Sequence, residues 1–355
     1  MHPASASPHS DDGVEFGLMA SFDPEAGTQG YLPYWTEWGN DTEETHPITN
    51  TPYGTLPDDR QHHYVLVTTS GGSGQYDVLY DYNPVGTTRL QEGGRYRDAF
   101  AMTTVQNPNT VSFPAAFENR LQMQNGNGIY FKPGTGQVSR SEPKTCGALP
   151  TDVDPLWDEI NVAPWCLTTS LGVTGNEVQY MRVSKPNTSL AKAPAVAAPV
   201  PSSAPDVLNG VDQAKLRACV AQGESPCFDQ VPGLRACVDA RLVCNAAAAA
   251  VGDATAGRIT GGQAKERVAT RLRLTDRTKI SSAANRASDL PSALRAKLPA
   301  TLATTAPVTV VTGNGEVHGL SAGKDRVYQG HLTVLDGATG ALVYACLGRD
   351  CPAAQ

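Results

Sequence analysis

A proline- and alanine-rich segment at residues 185–206 is the feature that most limits how this chain can fold. It contains five prolines and no periodic apolar pattern that a sheet or helix could bury. Such a segment forms an extended, semi-rigid spacer. The chain of 355 residues is long enough for two domains. We therefore predict one domain over residues 13–184 and a second over 207–355, with a disordered arm at residues 1–12.

The first domain has the residue pattern of a β-sheet protein. Segments in which apolar and polar residues alternate predict strands at 14–18, 62–67, 75–82 and 177–183. Turn signals rich in glycine, asparagine and proline separate these segments. In the third segment, Tyr76, Tyr80 and Tyr82 fall on one face of the strand. Many short strands with regular turns predict an all-β sandwich, of the jelly-roll or concanavalin-like kind.

The second domain begins with helical patterns and ends with strands. Start and stop signals predict helices over 212–222, 232–252, 263–274 and 289–298, the last with Asp289 as its N-terminal cap. Strand patterns follow at 308–311, 317–318, 331–335 and 341–345. The turn Asp336–Gly340 joins the last two strands as a hairpin. The prediction is a smaller α+β domain.

The cysteine content indicates an oxidising compartment. The chain has eight cysteines: Cys146, Cys166, Cys219, Cys227, Cys237, Cys244, Cys346 and Cys351. Their even number, and the lack of any C-x-x-C pair, favour disulfides over zinc binding. The first ten residues lack the apolar core of an export signal. We interpret the chain as a secreted, extracellular protein in a mature form without its signal peptide.

In this interpretation, disulfides among the four cysteines between residues 219 and 244 link the helices of the second domain. A continuous helix from residue 232 would separate Cys237 from Cys244 by about 10 Å of rise, which a disulfide cannot span. We therefore expect nested pairs, Cys219–Cys244 and Cys227–Cys237, or crossed ones. Elsewhere, Cys146–Cys166 would close a loop and Cys346–Cys351 would pin the C-terminal tail.

Composition excludes several partners. The formal net charge of −7 argues against a nucleic-acid binder. No apolar run is long enough to span a membrane. Arginine outnumbers lysine and alanine is abundant, which indicates a GC-rich bacterial genome. No P-loop, zinc-protease or dinucleotide motif is present, so we predict no cofactor other than an optional calcium ion.

The aromatic stretch from Tyr31 to Trp38 carries the best candidate site. Read as a strand, it places Tyr31, Trp35 and Glu37 on one face. A carboxyl group among indole rings has a raised pKa and can serve as a general acid. The same aromatic face with a carboxylate suits a glycan-binding or protein-binding surface. A third interpretation is plain core packing.

A second candidate is an acidic loop between Cys146 and Cys166. Four carboxylates crowd it, namely Asp152, Asp154, Asp158 and Glu159. Oxygen ligands of this kind suit calcium in an extracellular protein, although the EF-hand spacing is absent.

Residues 34–38, 63–67 and 76–87 resemble secreted actinobacterial concanavalin-like β-sandwich proteins over about residues 13–184. The aromatic strand is also distantly similar to that of the glutamic peptidases, which hydrolyse peptides at acid pH with a glutamine and a glutamate. That resemblance implies Gln29 and Glu118 as the counterparts here. Residues 308–346, with the turn at 335–342, resemble PepSY-like or cystatin-like hairpin modules, which implies a fold and no activity.

These observations predict a secreted, non-enzymatic binding or structural protein of a cell surface or an extracellular assembly. The alternative is an extracellular hydrolase, either a glutamic-type peptidase or a glycan-active enzyme, with Glu37 as its acid. A third interpretation gives the second domain an inhibitor or pro-region role. In the leading interpretation we expect no titratable or amide side chain paired with Glu37 across a deep cleft.

We predict that none of the eight cysteines carries a free thiol. Paired cysteines cannot react with an alkylating reagent, so the unreduced protein should gain no mass on alkylation. The same protein after reduction is the control, and it should take up the label at every cysteine. Two or more labelled cysteines in the unreduced sample would contradict export to an oxidising compartment.

Overall fold

The computed structural model describes residues 2–3, 13–23, 28–39, 41–48, 62–69, 75–89, 96–97, 116–119, 123–124, 130–131, 166–171, 178–184, 206–222, 227–246, 259–272, 274, 279–299, 302–319 and 326–352. Within these residues the fold is mostly β-sheet, and a large antiparallel sheet dominates it.

The strands are β1 (His2–Pro3), β2 (Gly13–Asp23), β3 (Thr28–Gly39), β4 (Thr42–Pro47), β5 (Tyr64–Thr68), β6 (Tyr76–Tyr80), β7 (Asn83–Thr87), β8 (Tyr96–Arg97), β9 (Ala116–Asn119), β10 (Met123–Gln124), β11 (Tyr130–Phe131), β12 (Cys166–Leu171), β13 (Val178–Ser184), β14 (Val207–Leu208), β15 (Val211–Asp212), β16 (Ile280–Arg286), β17 (Pro307–His318), β18 (Val327–Asp336) and β19 (Leu342–Leu347). The helices are α1 (Gln213–Gln222), α2 (Leu234–Asp239), α3 (Gly261–Arg271) and α4 (Ser292–Arg295), with a 3₁₀ turn at Ala287–Asp289.

Seven strands form the large sheet, in the order β16-β17-β18-β19-β4-β3-β2. Every neighbouring pair is antiparallel. The sheet therefore joins strands from both sides of the predicted linker. The junction is the β4–β19 ladder, in which Thr45 pairs with Ala345 and Glu44 pairs with Cys346. The linker itself, residues 185–205, lies outside the described residues.

Each face of this sheet is covered near the C-terminal strands. Helix α3 packs Val268 and Leu272 against one face, where they meet Val311 and Leu347. Residues 287–299, here called the covering segment, pack Leu294 against the other face. Burial of these apolar side chains holds the layers together.

Helix α3 confirms the prediction made from its apolar spacing. Thr260 and Gln263 form a capping box at its start, which satisfies free backbone N–H groups. The covering segment differs from the helix predicted over 289–298. It has a 3₁₀ turn and then the short α4, and Pro291 precedes α4 with no side-chain cap.

A second, three-stranded sheet of order β5-β6-β7 contacts the large sheet at β2 and β3. The Phe16 and Tyr64 rings meet edge to face, with centroids 4.8 Å apart. Gly86 lies against Trp35 so closely that an added Cβ would be 2.5 Å from the indole ring. Only a glycine fits this contact between the two sheets.

The other side of the small sheet packs on residues 207–222 and 227–246, here called the disulfide module. Leu79 from the sheet joins Leu216 and Leu234 of the module in one buried cluster. The backbone N–H of Cys227 donates to the Tyr82 hydroxyl at 2.9 Å. The same hydroxyl lies 3.3 Å from Nδ1 of His63. Polar and apolar contacts together attach the module to the sheet.

The predicted position of Tyr82 on the face of Tyr76 and Tyr80 is wrong. Strand β6 ends at Tyr80, and Asp81 and Tyr82 have positive φ of 49° and 65°. These angles form a tight hairpin turn to β7. Tyr82 therefore packs on the opposite side, against the disulfide module.

The expected nested or crossed disulfides are also wrong. The structure pairs Cys219 with Cys227 and Cys237 with Cys244, at Cα separations of 5.8 and 5.9 Å. The helix predicted over 232–252 ends after Asp239, and Arg241 adopts a φ of 54°. The chain turns back there, so Cys244 returns to Cys237. Cys346–Cys351 is paired as predicted.

We predict that cleavage within residues 185–205 leaves the two fragments associated. The β4–β19 ladder and the packing of the disulfide module on β5–β7 join residues on both sides of the cut. After brief proteolysis, size-exclusion chromatography in native buffer should give one peak containing both pieces. Two peaks, each holding one folded fragment, would contradict a shared sheet.

Candidate functional site

The hairpin of β3 and β4 brings two glutamates together. Gly39 pairs with Thr42, so the register places Glu37 directly opposite Glu44. Opposite residues of an antiparallel pair project from the same face. Both side chains are buried, Glu37 with 1% and Glu44 with 5% of its side-chain surface exposed. The fold thus places two carboxylates beside each other inside the protein.

Arg89, just after β7, neutralises the first carboxylate. Its backbone N–H donates to Oε2 of Glu37 at 2.7 Å, and its Nε donates to Oε1 at 3.1 Å. The same Nε lies 3.3 Å from Oε1 of Glu44. A further bond runs from the Arg89 guanidinium to Thr42 Oγ1 at 3.2 Å. Arg89 therefore bridges both carboxylates and the small sheet.

Lys297, in the covering segment, neutralises the second carboxylate. Its Nζ lies 2.9 Å from Oε2 of Glu44. All four carboxylate oxygens of the pair therefore contact a cation or a backbone N–H. Glu37, Glu44, Arg89 and Lys297 are here called the four-charge cluster, and their formal charges sum to zero.

Aromatic side chains enclose this cluster. Trp35 stacks on His46 with ring centroids 3.9 Å apart, and Tyr344 lies 5.3 Å from His46. Trp35 and Tyr344 are buried. These rings keep the surroundings of the carboxylates low in water, which strengthens charge–charge interactions.

Burial shifts the pKa values of the groups at the cluster. It raises the pKa of Glu37, although Arg89 opposes the shift by favouring the charged form. The raised pKa confirms the direction predicted for this carboxyl. Burial, with smaller effects of Lys297 and Arg89, lowers the pKa of His46 to about 3. His46 is therefore neutral at neutral pH.

The predicted site residues fall into two groups. Trp35 and Glu37 share a face of β3 as expected, and both are buried. Glu37 has two charged neighbours, Arg89 in direct contact and Glu44 opposite it on the adjacent strand, and both lie with it inside the buried cluster. Tyr31 and Gln29 lie farther along β3, where they pair with Ala20 and Phe22 of β2.

Other predicted residues are elsewhere or not described. Glu118 lies on β9, in a separate three-stranded sheet with β12 and β13. The Cys146–Cys166 pairing lies outside the described side chains. The calcium candidates Asp152, Asp154, Asp158 and Glu159 also lie outside the described residues.

Two carboxylates this close can in principle support acid–base chemistry. Retaining glycosidases place their two carboxyl groups about 5 Å apart. One oxygen each of Glu37 and Glu44 and one nitrogen of His46 lie within 4.8 Å of one another. The same three side chains could ligate a metal ion. Arg89 and Lys297 already balance the carboxylates, however, so a divalent cation would add uncompensated charge to a buried site.

Sequence reasoning missed Glu44, Arg89 and Lys297. The first had a usable signal, because Gly39-Asn-Asp41 is a turn sequence that sets the pairing of Glu37 with Glu44. Arg89 and Lys297 reach the cluster only through contacts between layers. No local pattern identifies them.

His331 is a second buried polar group in the large sheet. Its side chain is 5% exposed, and neither ring nitrogen has a hydrogen-bond partner among the described residues. An added Cβ at Gly313, opposite it on β17, would lie 2.5 Å from Nε2. Burial lowers the pKa of His331 to about 4.

Comparison with protein-family models, with curated proteins and with solved structures finds no match to this chain. Its class is therefore defined by its own fold and site. It is a β-sheet protein with a disulfide-linked helical module and a buried four-charge cluster where two sheets meet.

We predict that His331 makes the protein acid-sensitive. The unfolded chain binds a proton at His331 near pH 6.5 but the folded chain only near pH 4, so stability falls as pH drops through this window. The loss approaches about 3 kcal/mol, at about 1.4 kcal/mol for each pKa unit. Chemical denaturation across this pH range measures it.

His331→Phe removes the proton site without removing a described hydrogen bond, so it should reduce the acid dependence and leave the part that His46 contributes. His318→Phe, at an exposed position at the end of β17, is the matched control and should leave the dependence unchanged. An equal acid dependence in wild-type protein and His331→Phe would refute the assignment.

Proposed function

We propose that this is a secreted, non-enzymatic protein with a structural or binding role at a cell surface or in an extracellular assembly. The main support is that cations already occupy the carboxylates of the best candidate active site. All four oxygens of Glu37 and Glu44 contact Arg89 or Lys297. A substrate would have to displace Arg89 to reach Glu37, and both Arg89 and Lys297 to reach Glu44.

The surroundings of the cluster favour a structural role over ligand stacking. Trp35 is buried between His46 and Gly86, so its ring offers no open surface to a sugar or a peptide. The cluster joins β3 and β4 to the loop after β7 and to the covering segment. Charges placed in this way hold elements of the fold in register.

The disulfides support an extracellular location. Six of the eight cysteines form three pairs in the described residues. Stable disulfides persist in oxidising compartments and are rare in the cytosol. Within the described residues, no helix has the length and apolar character needed to cross a membrane.

We extend the proposal to architecture and origin. The contact of the small sheet with β2 and β3 is compatible with a β-sandwich of the jelly-roll or concanavalin-like kind. The resemblance to secreted actinobacterial proteins and the arginine-rich composition favour a bacterial source.

We predict that wild-type protein hydrolyses neither denatured protein nor polysaccharide at acidic or neutral pH, because Arg89 and Lys297 occupy the two carboxylates. Hydrolysis assays with both substrates measure this. Glu37→Gln should lower the free energy of unfolding by roughly 1–3 kcal/mol, because it removes one of the two carboxylates that balance the Arg89 guanidinium. Denaturant titration measures the loss.

Glu316→Gln, at an exposed position on β17, is the control and should change stability by less than about 0.5 kcal/mol. Turnover by wild-type protein that disappears in Glu37→Gln but persists in Glu316→Gln would overturn the proposal. That outcome would identify the protein as a hydrolase.

A further inference from the structure

Lys297 and Glu44 place an amine nitrogen next to a carboxyl group inside the protein. Lys297 Nζ is 2.9 Å from Glu44 Oε2. Only 5% of the Glu44 side-chain surface and 26% of the Lys297 surface are exposed. Well-oriented neighbours of this kind react with effective concentrations far above those of free groups in water.

The second oxygen of the same carboxylate faces a cation. Arg89 Nε lies 3.3 Å from Glu44 Oε1, on the oxygen that Lys297 does not contact. A guanidinium there can stabilise the negative charge that develops when a nucleophile attacks the carboxyl carbon. The Tyr344 hydroxyl is also close, since burial and the Glu44 carboxylate together raise its pKa.

A buried acid–base group stands beside the reacting pair. Glu37 is directly opposite Glu44 on β3, and the nearest oxygens of the two are within 4.8 Å. A carboxyl group in a low-water environment exchanges protons readily with a neighbouring amine or carboxyl group. Glu37 is the buried carboxylate nearest to Glu44, and the step below assigns it the transfer of the proton from the Lys297 ammonium to the leaving oxygen.

We propose that Lys297 and Glu44 become joined by an amide bond that the folded protein forms by itself. The Lys297 ammonium gives a proton to Glu37, and the free amine attacks the Glu44 carboxyl carbon. The bond from Nζ to that carbon forms, and the carbon–Oε2 bond breaks. Oε2 leaves as water with two protons of the original ammonium: one returns from Glu37 and the other comes directly from the attacking nitrogen. The third proton stays on the amide nitrogen. The step consumes no oxidant or co-reactant.

The charges of the site favour this product. Two buried ions carry a desolvation penalty that a neutral amide avoids. After the step, Glu37 and Arg89 remain as a balanced pair, and their 3.1 Å contact is kept. Exclusion of water by Trp35 and Tyr344 protects the amide from hydrolysis.

The cross-link would tie β4 to the covering segment, which lies on the other side of residues 185–206. The cross-link is independent of the proposed function, since either a structural protein or an enzyme could contain such a bond.

Intact mass spectrometry of the fully reduced, denatured protein tests the proposal. The expected mass is that of the sequence minus one water. Peptide mapping should then find one branched peptide that contains both Glu44 and Lys297. Protein cleaved within residues 185–205 should run as a single full-length band on a reducing denaturing gel.

Three variants separate the cross-link from other causes of water loss. Lys297→Arg keeps the positive charge but cannot form the amide, so it should have the full sequence mass and separate into two bands after cleavage. Glu37→Gln should also lack the cross-link, because it cannot accept the proton. Lys215→Arg is the matched control, since Lys215 lies 3.6 Å from Asp212 in a pair that is 60% and 37% exposed. It should keep the loss of one water.

Two results would overturn the proposal. One is a wild-type protein at the full sequence mass, which leaves Lys297 and Glu44 as an ion pair only. The other is a water loss that persists in Lys297→Arg, which places the dehydration elsewhere. A cross-link that forms fully in Glu37→Gln would overturn the role assigned to Glu37.

Discussion

The short ladder between β4 and β19 is the contact on which the rest of the described structure depends. Three residue pairs, Thr45–Ala345, Glu44–Cys346 and Glu43–Leu347, make one sheet from two meanders. Beyond β19, Gly348 has a φ of 116°, and an added Cβ there would collide with the Asp41 carbonyl oxygen. The backbone of the two strands is therefore fitted closely at the end of the ladder, where β4 begins.

The four-charge cluster follows from that ladder. Pairing of β4 with β19 sets Tyr344 beside His46 and brings the covering segment, with Lys297, over Glu44. Arg89 arrives from a different layer, through the contact of Gly86 with Trp35. Buried carboxylates without cations would be costly. The cluster is therefore satisfied only when β3–β4, the loop after β7 and the covering segment all reach their native places.

Local patterns predicted much of the fold and little of the site. Apolar spacing located α3, and strand patterns with the turn Asp336–Gly340 located the β18–β19 hairpin, because those signals lie within a few residues of one another. The alanine tract after Cys244 suggested a longer α2, but the Cys237–Cys244 disulfide turns the chain back. Glu37 stood out among its aromatic neighbours, and its raised pKa follows from burial. Its cations come from Arg89 and Lys297, which no sequence period connects to it.

The distance along the chain between the partners of the ladder has a consequence for how the protein folds. Strand β4 ends at Pro47 and β19 begins only at Leu342, so β4 is synthesised long before its partner. The described disulfides close only short loops, with paired cysteines 5 to 8 positions apart in the sequence. They do little to shorten the search for this remote contact. Contacts of such high order form slowly. The edge of β4 therefore stays unpaired until β19 has been synthesised, and during that time it is a strand edge at which aggregation can start.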